Sequence, residues 1–391
     1  MLLRMVQANH LESTEFDVTV VGAGAAGIGV AVVLNDLGIG SFAMLERDEI
    51  GASFRGWPDE MRFITPSFPS NNFGCRDLNA VTKDTSPAYA LDCEHPSGTE
   101  YASYLESVAD FHDLPVHVGI AVESVERDPT KRPLGFELET SAGTIRSRFV
   151  VWAGGQFGSP NDEPFPGADH CVHNAQVGSW RRFTDECESD EVVVVGGHES
   201  GVDAALALAD RGYEVTVVDE DAPWRYRGPD PSEVLAPYTK QRLDEAMAND
   251  ASITFFDSGR VDHVRRTHRG FDVVTTAGTI LETGNTPVLA TGFEPSLGPV
   301  EPLFALEGGQ PELTDADEST ETPGLFLVGP QVAHDGQTFC FIYKFRQRFA
   351  VVADAIANRL GVDRTPLDEY REKRMFLNDL DCCEPDLCDC L

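Results

Sequence analysis

Residues 16–38, FDVTVVGAGAAGIGVAVVLNDLG, constrain the chain more than any other stretch. Residues 16–21 are a short β-branched apolar run, the composition of a strand buried in a parallel sheet. The turn Gly22-Ala23-Gly24-Ala25-Ala26-Gly27 follows and fits G-x-G-x-x-G, and an Ala/Val/Leu-rich helix then runs to Gly38. Each glycine has its own task. Gly22 permits the tight turn, Gly24 lets the backbone approach a pyrophosphate, and Gly27 lets helix and strand pack closely. The helix N-terminus offers free N–H groups and partial positive charge to the phosphates. A second strand, residues 41–45, ends at Glu46, about 20 residues on, where an acid can hold ribose hydroxyls. The stretch reads as a dinucleotide site.

The same unit returns about 175 residues later, which agrees with two domains of ordinary size. The strand 192–195 enters Gly196-Gly197-His198-Glu199-Ser200-Gly201, and a helix over 202–211 follows. The strand 214–218 then closes at Asp219. Gly196, Gly197, Glu199, Ser200, Gly201 and Asp219 are the candidate binding residues of this second turn. His198 stands where the middle glycine belongs. Its side chain holds a pyrophosphate off unless the backbone shifts or the imidazole itself donates to phosphate. The fold class is therefore α/β, with two Rossmann-like, three-layer ββα dinucleotide-binding domains.

Charge narrows the setting. Acidic residues number 65 against 30 basic ones, for a formal charge of −35. Such a surplus repels itself in dilute buffer and is screened in concentrated salt. We expect a halophilic, salt-accumulating cytoplasm, with no nucleic-acid or anionic-membrane partner. The first fifteen residues hold too little apolar sequence for a secretion signal, and no run is long enough to span a membrane.

Five of the nine cysteines (Cys75, Cys93, Cys171, Cys187 and Cys340) are widely scattered, unlike a secreted disulfide framework. Cys382, Cys383, Cys388 and Cys390 crowd into the last ten residues instead. Four thiolates there can enclose a soft or borderline metal ion, and the pair Cys382-Cys383 can relay electrons by thiol exchange. The neighbouring acids Asp381, Glu384, Asp386 and Asp389 favour the cation over the exchange nucleophile.

Elsewhere the pattern predicts a glycine-punctuated segment from Arg47 to Trp57, a Pro/Ser/Asn-rich excursion over 65–98, and a helix over 101–112. It predicts a strand pair within 116–125 and a hairpin of 136–140 with 144–151. The strand 148–152 runs into Ala153-Gly154-Gly155, and Pro-rich residues 159–167 mark a domain boundary. Strands 288–290 and 325–328 end at Thr291-Gly292 and Gly329-Pro330, where a backbone can touch a ligand. Residues 339–360 should form a helix. His334 is a candidate proton donor, and Cys340, amid Phe339, Phe341 and Ile342, reads as a buried apolar thiol.

The two glycine turns, with Ala153-Gly154-Gly155 and Ala290-Thr291-Gly292, resemble the flavoproteins with two dinucleotide domains. These include thioredoxin reductases, flavin-containing monooxygenases and bacillithiol-disulfide-reductase-like proteins. The resemblance spans residues 15–360. It implies FAD on the first unit, held by Gly22, Gly24, Ala26, Gly27 and Glu46. Arg47, Trp57, Val122, Ala153, Gly154, Gly292 and Gly329 complete that set. It implies NADH or NADPH on the second unit, inserted within the FAD domain. The expected organisation is a disordered N-terminus over 1–15, an FAD domain over 16–160 and 285–375, a nicotinamide domain over 161–284, and a cysteine-rich tail over 376–391. Three thiol patterns are missing: a C-x-x-C in the second domain, a cysteine pair after the first ribose acid, and a cysteine at Ala26. The monooxygenase pattern F-x-G-x-x-x-H is not matched by His170 and His173 either.

The resulting expectation is a cytoplasmic FAD enzyme that takes hydride from NAD(P)H and reduces a small molecule, a small thiol disulfide or a bound metal. Cys382, Cys383 and His334 are its candidate catalytic residues. NADH is favoured because Asp219 accepts from a ribose 2′-OH and repels a 2′-phosphate. A flavin monooxygenase and a non-catalytic flavin-binding metal carrier are the alternatives.

Overall fold

A computed structural model describes residues 14–69, 76–127, 130, 135–228, 232–334 and 336–380. The first half of the FAD unit contains β1 (Glu15–Val21), α1 (Ala25–Asp36), β2 (Phe42–Glu46) and α2 (Gly98–Phe111). It continues through β3 (Val116–Val118), β4 (Val122–Arg127), β5 (Phe136–Thr140) and β6 (Gly143–Trp152). The second unit contains β7 (Val172–His173), α3 (Trp180–Asp185), β8 (Glu191–Val195), α4 (Glu199–Ala209) and β9 (Glu214–Val218). After these come α5 (Pro237–Ala248), β10 (Ile253–Phe256), the meander β11 (Val261–Thr267), β12 (Gly270–Thr275) and β13 (Ile280–Thr283), and β14 (Val288–Leu289). The chain then returns to the first unit with β15 (Leu325–Leu327), α6 (Ile342–Phe345) and α7 (Phe349–Leu360).

The first sheet runs β3-β2-β1-β6-β5-β4, with β15 also paired to β6. β6 joins its layers, because its early residues pair antiparallel with β5 and its last three pair parallel with β15. β1 is parallel to both β2 and β6, so its apolar run is buried from both faces. Helix α1 is buried from Ala25 through Leu34, which its apolar composition anticipates. It is pressed from outside by α7: a Cβ on Gly29 would lie 2.0 Å from the Phe349 ring. The second sheet runs β10-β9-β8-β14-β7 and is parallel throughout.

Four expectations change. The pair within 116–125 is not a pair, since β3 joins β2 and β4 joins β5 at opposite sheet edges. The second unit reaches Leu289 rather than residue 284, because β14 lies between β7 and β8. The helix over 339–360 breaks into α6 and α7 where Arg346 and Arg348 turn inward to buried acceptors. At the N-terminal edge, Glu15 already belongs to β1; residues 1–13 lie outside the described residues.

Two paired linkers connect the units. Pro160 and Phe293 form an antiparallel bridge, and Asn161 N–H donates to the Gly292 carbonyl at 3.0 Å. Across the seam, Glu60 of the first unit accepts from the N–H groups of Trp180 and Arg181 at the start of α3, at 2.9 and 3.0 Å. Burial opposes ionisation of Glu60, but these donors outweigh it and hold the carboxyl below its ordinary range. His95 also stacks on Tyr238 of α5, with ring centroids 3.6 Å apart and planes 10° from parallel. Among the described residues no helix is long and apolar enough to cross a membrane.

Candidate active site

The two glycine turns share one construction. Gly22 N–H donates to the Leu45 carbonyl at 2.8 Å, and Gly196 N–H to that of Val218 at 2.9 Å. Ala153 N–H reaches the Val21 carbonyl at 2.8 Å, and Ala290 N–H that of Val195 at 2.7 Å. These bonds place a backbone directly against each turn. A Cβ on Gly22 would lie 2.4 Å from the Ala153 oxygen, and one on Gly196 2.3 Å from the Ala290 oxygen. A Cβ on Gly27 or Gly201 would lie 1.9 Å from the carbonyl oxygen of Gly22 or Gly196. The protein's own packing requires these four glycines.

Gly24 is different. Its φ of −80° is ordinary, and a Cβ there would meet nothing within 4 Å. No side chain caps α1 at this point. The open space therefore faces unpaired helix N–H groups, which is the form of a phosphate cradle. The residues present fit an FAD pyrophosphate.

Each unit holds the acid that closes its second strand in the same manner. Glu46 accepts from Ala23 N–H at 2.7 Å through Oε2 and from Asp48 N–H at 2.9 Å through Oε1. Asp219 accepts from Gly197 N–H at 2.7 Å through Oδ2 and from Asp221 N–H at 2.9 Å through Oδ1. A carboxylate has lone pairs beyond these two, so each acid still has acceptor capacity for a hydroxyl.

Gly329 joins the first cradle: its φ is +114°, and a Cβ there would lie 3.3 Å from that of Ala26 in α1. Gly154 is wedged by Ser296, whose carbonyl accepts from the Trp152 indole at 2.8 Å. Gly292 belongs to the linker, its carbonyl 3.0 Å from Asn161 N and 3.1 Å from His173 Nε2. Val122 lies two residues past Ile120, whose N–H reaches the Glu46 carbonyl at 2.9 Å. Trp57 enters an aromatic cluster with Phe54 and Phe63 at centroid distances of 5.2 and 5.0 Å. Arg47 is 72% exposed and paired with Asp48.

The second turn keeps its backbone despite His198. His198 has φ −82° and ψ −163°, close to the −80° and −169° of Gly24. Of the two ways to admit a pyrophosphate, a backbone shift is absent, and the half-buried imidazole stands at the position Gly24 leaves open. Ser200 is half-buried in the first turn of α4. Glu199 goes elsewhere: its carboxylate accepts from Ala236 N–H and the Thr239 hydroxyl at the start of α5. One turn on, Asp203 meets Arg242 at 2.7 Å. Burial pushes the Glu199 carboxyl up to about 7, against those two hydrogen bonds, and Asp203 adds to the rise.

His334 Nε2 lies 2.6 Å from Asp317 Oδ1, with its side chain 8% exposed. Asp317 is fully buried and also takes the Arg348 guanidinium at 2.8 and 3.0 Å. His334 thus packs its ring nitrogen against the buried Asp317–Arg348 pair. Sequence reasoning passed over Asp317, Arg348 and Glu60. Only Glu60 left a trace: Ser179-Trp180 starts a helix whose first N–H groups need an acceptor. Cys382, Cys383, Cys388 and Cys390 lie outside the described residues. Among the described residues no group of three or more His, Cys, Asp or Glu is arranged to hold a metal ion.

Comparison with known proteins agrees with this geometry. Residues 19–329 match the family described as pyridine nucleotide-disulphide oxidoreductase. Bacilliredoxin reductase Bdr of Bacillus subtilis is 25% identical over 348 residues, covering 87% of this chain and 97% of its own. A ferredoxin–NADP reductase of Granulibacter bethesdensis is 26% identical over 371 residues, covering 90% of this chain and 92% of its own. The solved bacillithiol disulfide reductase of Staphylococcus aureus superposes with a TM-score of 0.70 at 20% identity, covering 89% of this chain and 99% of that one. The likeness of that structure establishes the two-domain fold. With the family match running through both glycine turns, the chain belongs to the pyridine nucleotide-disulphide oxidoreductase family and is an FAD-dependent NAD(P)H oxidoreductase.

Proposed function

We propose that this enzyme takes hydride from NADH and delivers the electron pair to the disulfide of a small thiol. FAD at the first cradle supplies the two-electron redox chemistry between the donor and the acceptor. The protein's part is to orient and to select. Gly22, Gly24, Gly27 and Glu46 hold the pyrophosphate and ribose, and Gly329 lets the returning chain approach. The second turn, with the His198 imidazole donating to a phosphate and Asp219 accepting from the ribose, holds the nicotinamide dinucleotide.

The acid trio closing β9 carries the choice of donor. Asp219, Glu220 and Asp221 stand together, the last two exposed. Arg225 is paired with Asp257, and Arg227 lies 3.3 Å from Asp244. A 2′-phosphate there meets carboxylates and no unpaired guanidinium from this pair, whereas a 2′-OH finds an acceptor. We expect kcat/KM for NADH to exceed that for NADPH by about tenfold or more, as one repelled charge is worth about 1.4 kcal/mol or more. Anaerobic stopped-flow reduction with the two donors measures this, and faster reduction by NADPH rejects the assignment.

The acceptor reading draws support from two relatives whose names specify a bacilliredoxin and a bacillithiol disulfide. The four C-terminal cysteines are proposed as an accessory metal or electron-relay segment. Truncation after Asp381 should leave FAD content and reduction by NADH intact while metal content or turnover of bulky acceptors falls. Equal metal content and equal turnover in both forms would leave the segment without a role. The acidic surface suits a salt-rich cytoplasm, where a short screening length relieves its self-repulsion.

A further inference from the structure

A line of direct contacts joins the two glycine turns across the seam. In the first unit, Gly51 N–H donates to the Ala23 carbonyl inside the Gly22–Gly27 turn, at 3.0 Å. Three residues on, the Phe54 ring stacks on Phe63 with centroids 5.7 Å apart. The Phe63 carbonyl then lies 2.7 Å from His95 Nδ1. A carbonyl only accepts, so that ring nitrogen carries the proton and the imidazole is held in one orientation. His95 stands at the neck of the 65–98 excursion. There the arms pair, with Phe63 N–H donating to the Pro96 carbonyl at 3.0 Å and Ser67 N–H to that of Glu94 at 2.7 Å.

The second unit meets this neck with Tyr238, whose ring lies 3.6 Å from that of His95 and nearly parallel to it. Helix α4 holds Tyr238 from behind at two points. Glu199, next to His198 in the second glycine turn, accepts from Ala236 N–H and the Thr239 hydroxyl at the start of α5. One turn further along each helix, Asp203 meets Arg242, and the Arg242 guanidinium lies 5.4 Å from the centre of the Tyr238 ring. Among the described residues, no other ring pair joins the units away from the linkers. Two paired linkers alone leave the units able to turn about them, so contacts off that axis set the angle between the turns. Glu60 holds α3 and, through Arg211 at 2.8 Å, the far end of α4. The ring stack holds the end of α4 that carries the nucleotide turn.

We propose that the His95–Tyr238 stack is a positioning contact for hydride transfer, keeping the nicotinamide at the second turn in register with the FAD at the first. In this role neither ring touches the reacting atoms, and no bond-making step is added to the established reaction. The contact serves the step common to every acceptor. It therefore stands independently of the disulfide reading and of the choice between NADH and NADPH. Hydride transfer is steep in distance, and a misplacement of about 1 Å can cost about a hundredfold in rate. Loss of the stack loosens the angle between the units, which lowers the rate at saturation and leaves affinity for the donor in place.

The test uses full-length, FAD-loaded protein, reduced anaerobically in a stopped-flow instrument by the faster of NADH and NADPH. Tyr238→Ala should lower the limiting rate of flavin reduction about tenfold. His95→Asn, which keeps a donor near the Nδ1 position but removes the ring, should do the same. The donor concentration giving half the limiting rate should change less than about twofold in both. Tyr238→Phe keeps the stack and should match wild type. The double variant should be no slower than either single one, since both remove one contact. Hydrogen exchange read by mass spectrometry, without NADH or NADPH, supplies a second measure. Tyr238→Ala should speed exchange in residues 60–66 of the first unit, and His95→Asn should speed it in α5 of the second. Exchange that rises only in the unit carrying the substitution overturns the proposal. A limiting rate within about twofold of wild type in either stack-breaking variant overturns it too, as does a Tyr238→Phe as slow as Tyr238→Ala. A raised half-saturating donor concentration at an unchanged limiting rate assigns Tyr238 to donor binding and also overturns it. If Tyr238→Ala does not fold with FAD, His95→Asn decides from the other side of the same contact.

Discussion

Gly24→Val should purify as a folded, colourless protein. A side chain at Gly24 meets no protein atom within 4 Å, and the position has an extended backbone that valine tolerates. The cost to the apoprotein is therefore small, about 1 kcal/mol or less for changing a helix N-cap glycine. The added methyls project into the space the pyrophosphate must approach, so bound FAD should fall by about nine-tenths or more. Gly27→Val is the instructive partner. There a Cβ would stand 1.9 Å from the Gly22 carbonyl oxygen, backbone against backbone. That change should cost about 3 kcal/mol or more through overpacking and lower the melting temperature even without cofactor. Visible absorbance and thermal melting, each with and without added FAD, separate the two cases. A yellow Gly24→Val, or one whose apoprotein melts as early as Gly27→Val, would contradict this account of the cradle.

Glu199→Gln should stabilise the protein above neutrality and do nothing in acid. The carboxyl of Glu199 has an ordinary value of 4.5 and sits at about 7 in the folded chain, chiefly because it is buried. Folding therefore favours its protonated form. The stability this group contributes is complete below 4.5 and is lost as pH rises through about 7. The loss amounts to about 3 kcal/mol once the carboxyl ionises. Glutamine resembles the protonated acid: it accepts from Ala236 N–H and exchanges a hydrogen bond with Thr239. Asp203 on the same helix and Arg242 on α5 are the charged neighbours that face it. Wild type and variant should melt together at pH 4 and diverge progressively toward pH 8, with the variant higher. A difference that does not change with pH would show that Glu199 is ionised throughout. The consequence extends past the second turn, because α5 also carries Tyr238 against His95 of the first unit.

The dinucleotide units were legible because their demands are local. The glycines at 22 and 27 serve a turn, a helix and a strand that are neighbours in sequence, and Glu46 caps the strand beside them. The repeat at Gly196, Gly201 and Asp219 follows the same short-range geometry. His198 shows the limit of that reasoning. Its residue type left open whether the backbone shifts or the imidazole itself meets a phosphate, and the backbone matches Gly24, since Gly196, Gly197 and Gly201 already set the path.

Partners distant along the chain decided the rest. The strands within 116–125 carry no mark that sends one to β2 and the other to β5; the sheet order assigns them. β14 belongs to the second sheet because the gap between β7 and β8 is filled there, although its sequence fits either domain. Cys340 lies among aromatic residues in sequence and looked inert. Ser232, separated from it by 108 positions, and Lys344 make its surroundings polar. His334 looked like a loop histidine until Asp317 and Arg348 enclosed it. The sequence by itself determined two nucleotide cradles in order, because a glycine turn states its steric need within about 25 residues. Burial, hydrogen-bond direction and the company of each ionisable group arose only from tertiary structure, because they depend on which distant segments exclude water from one another.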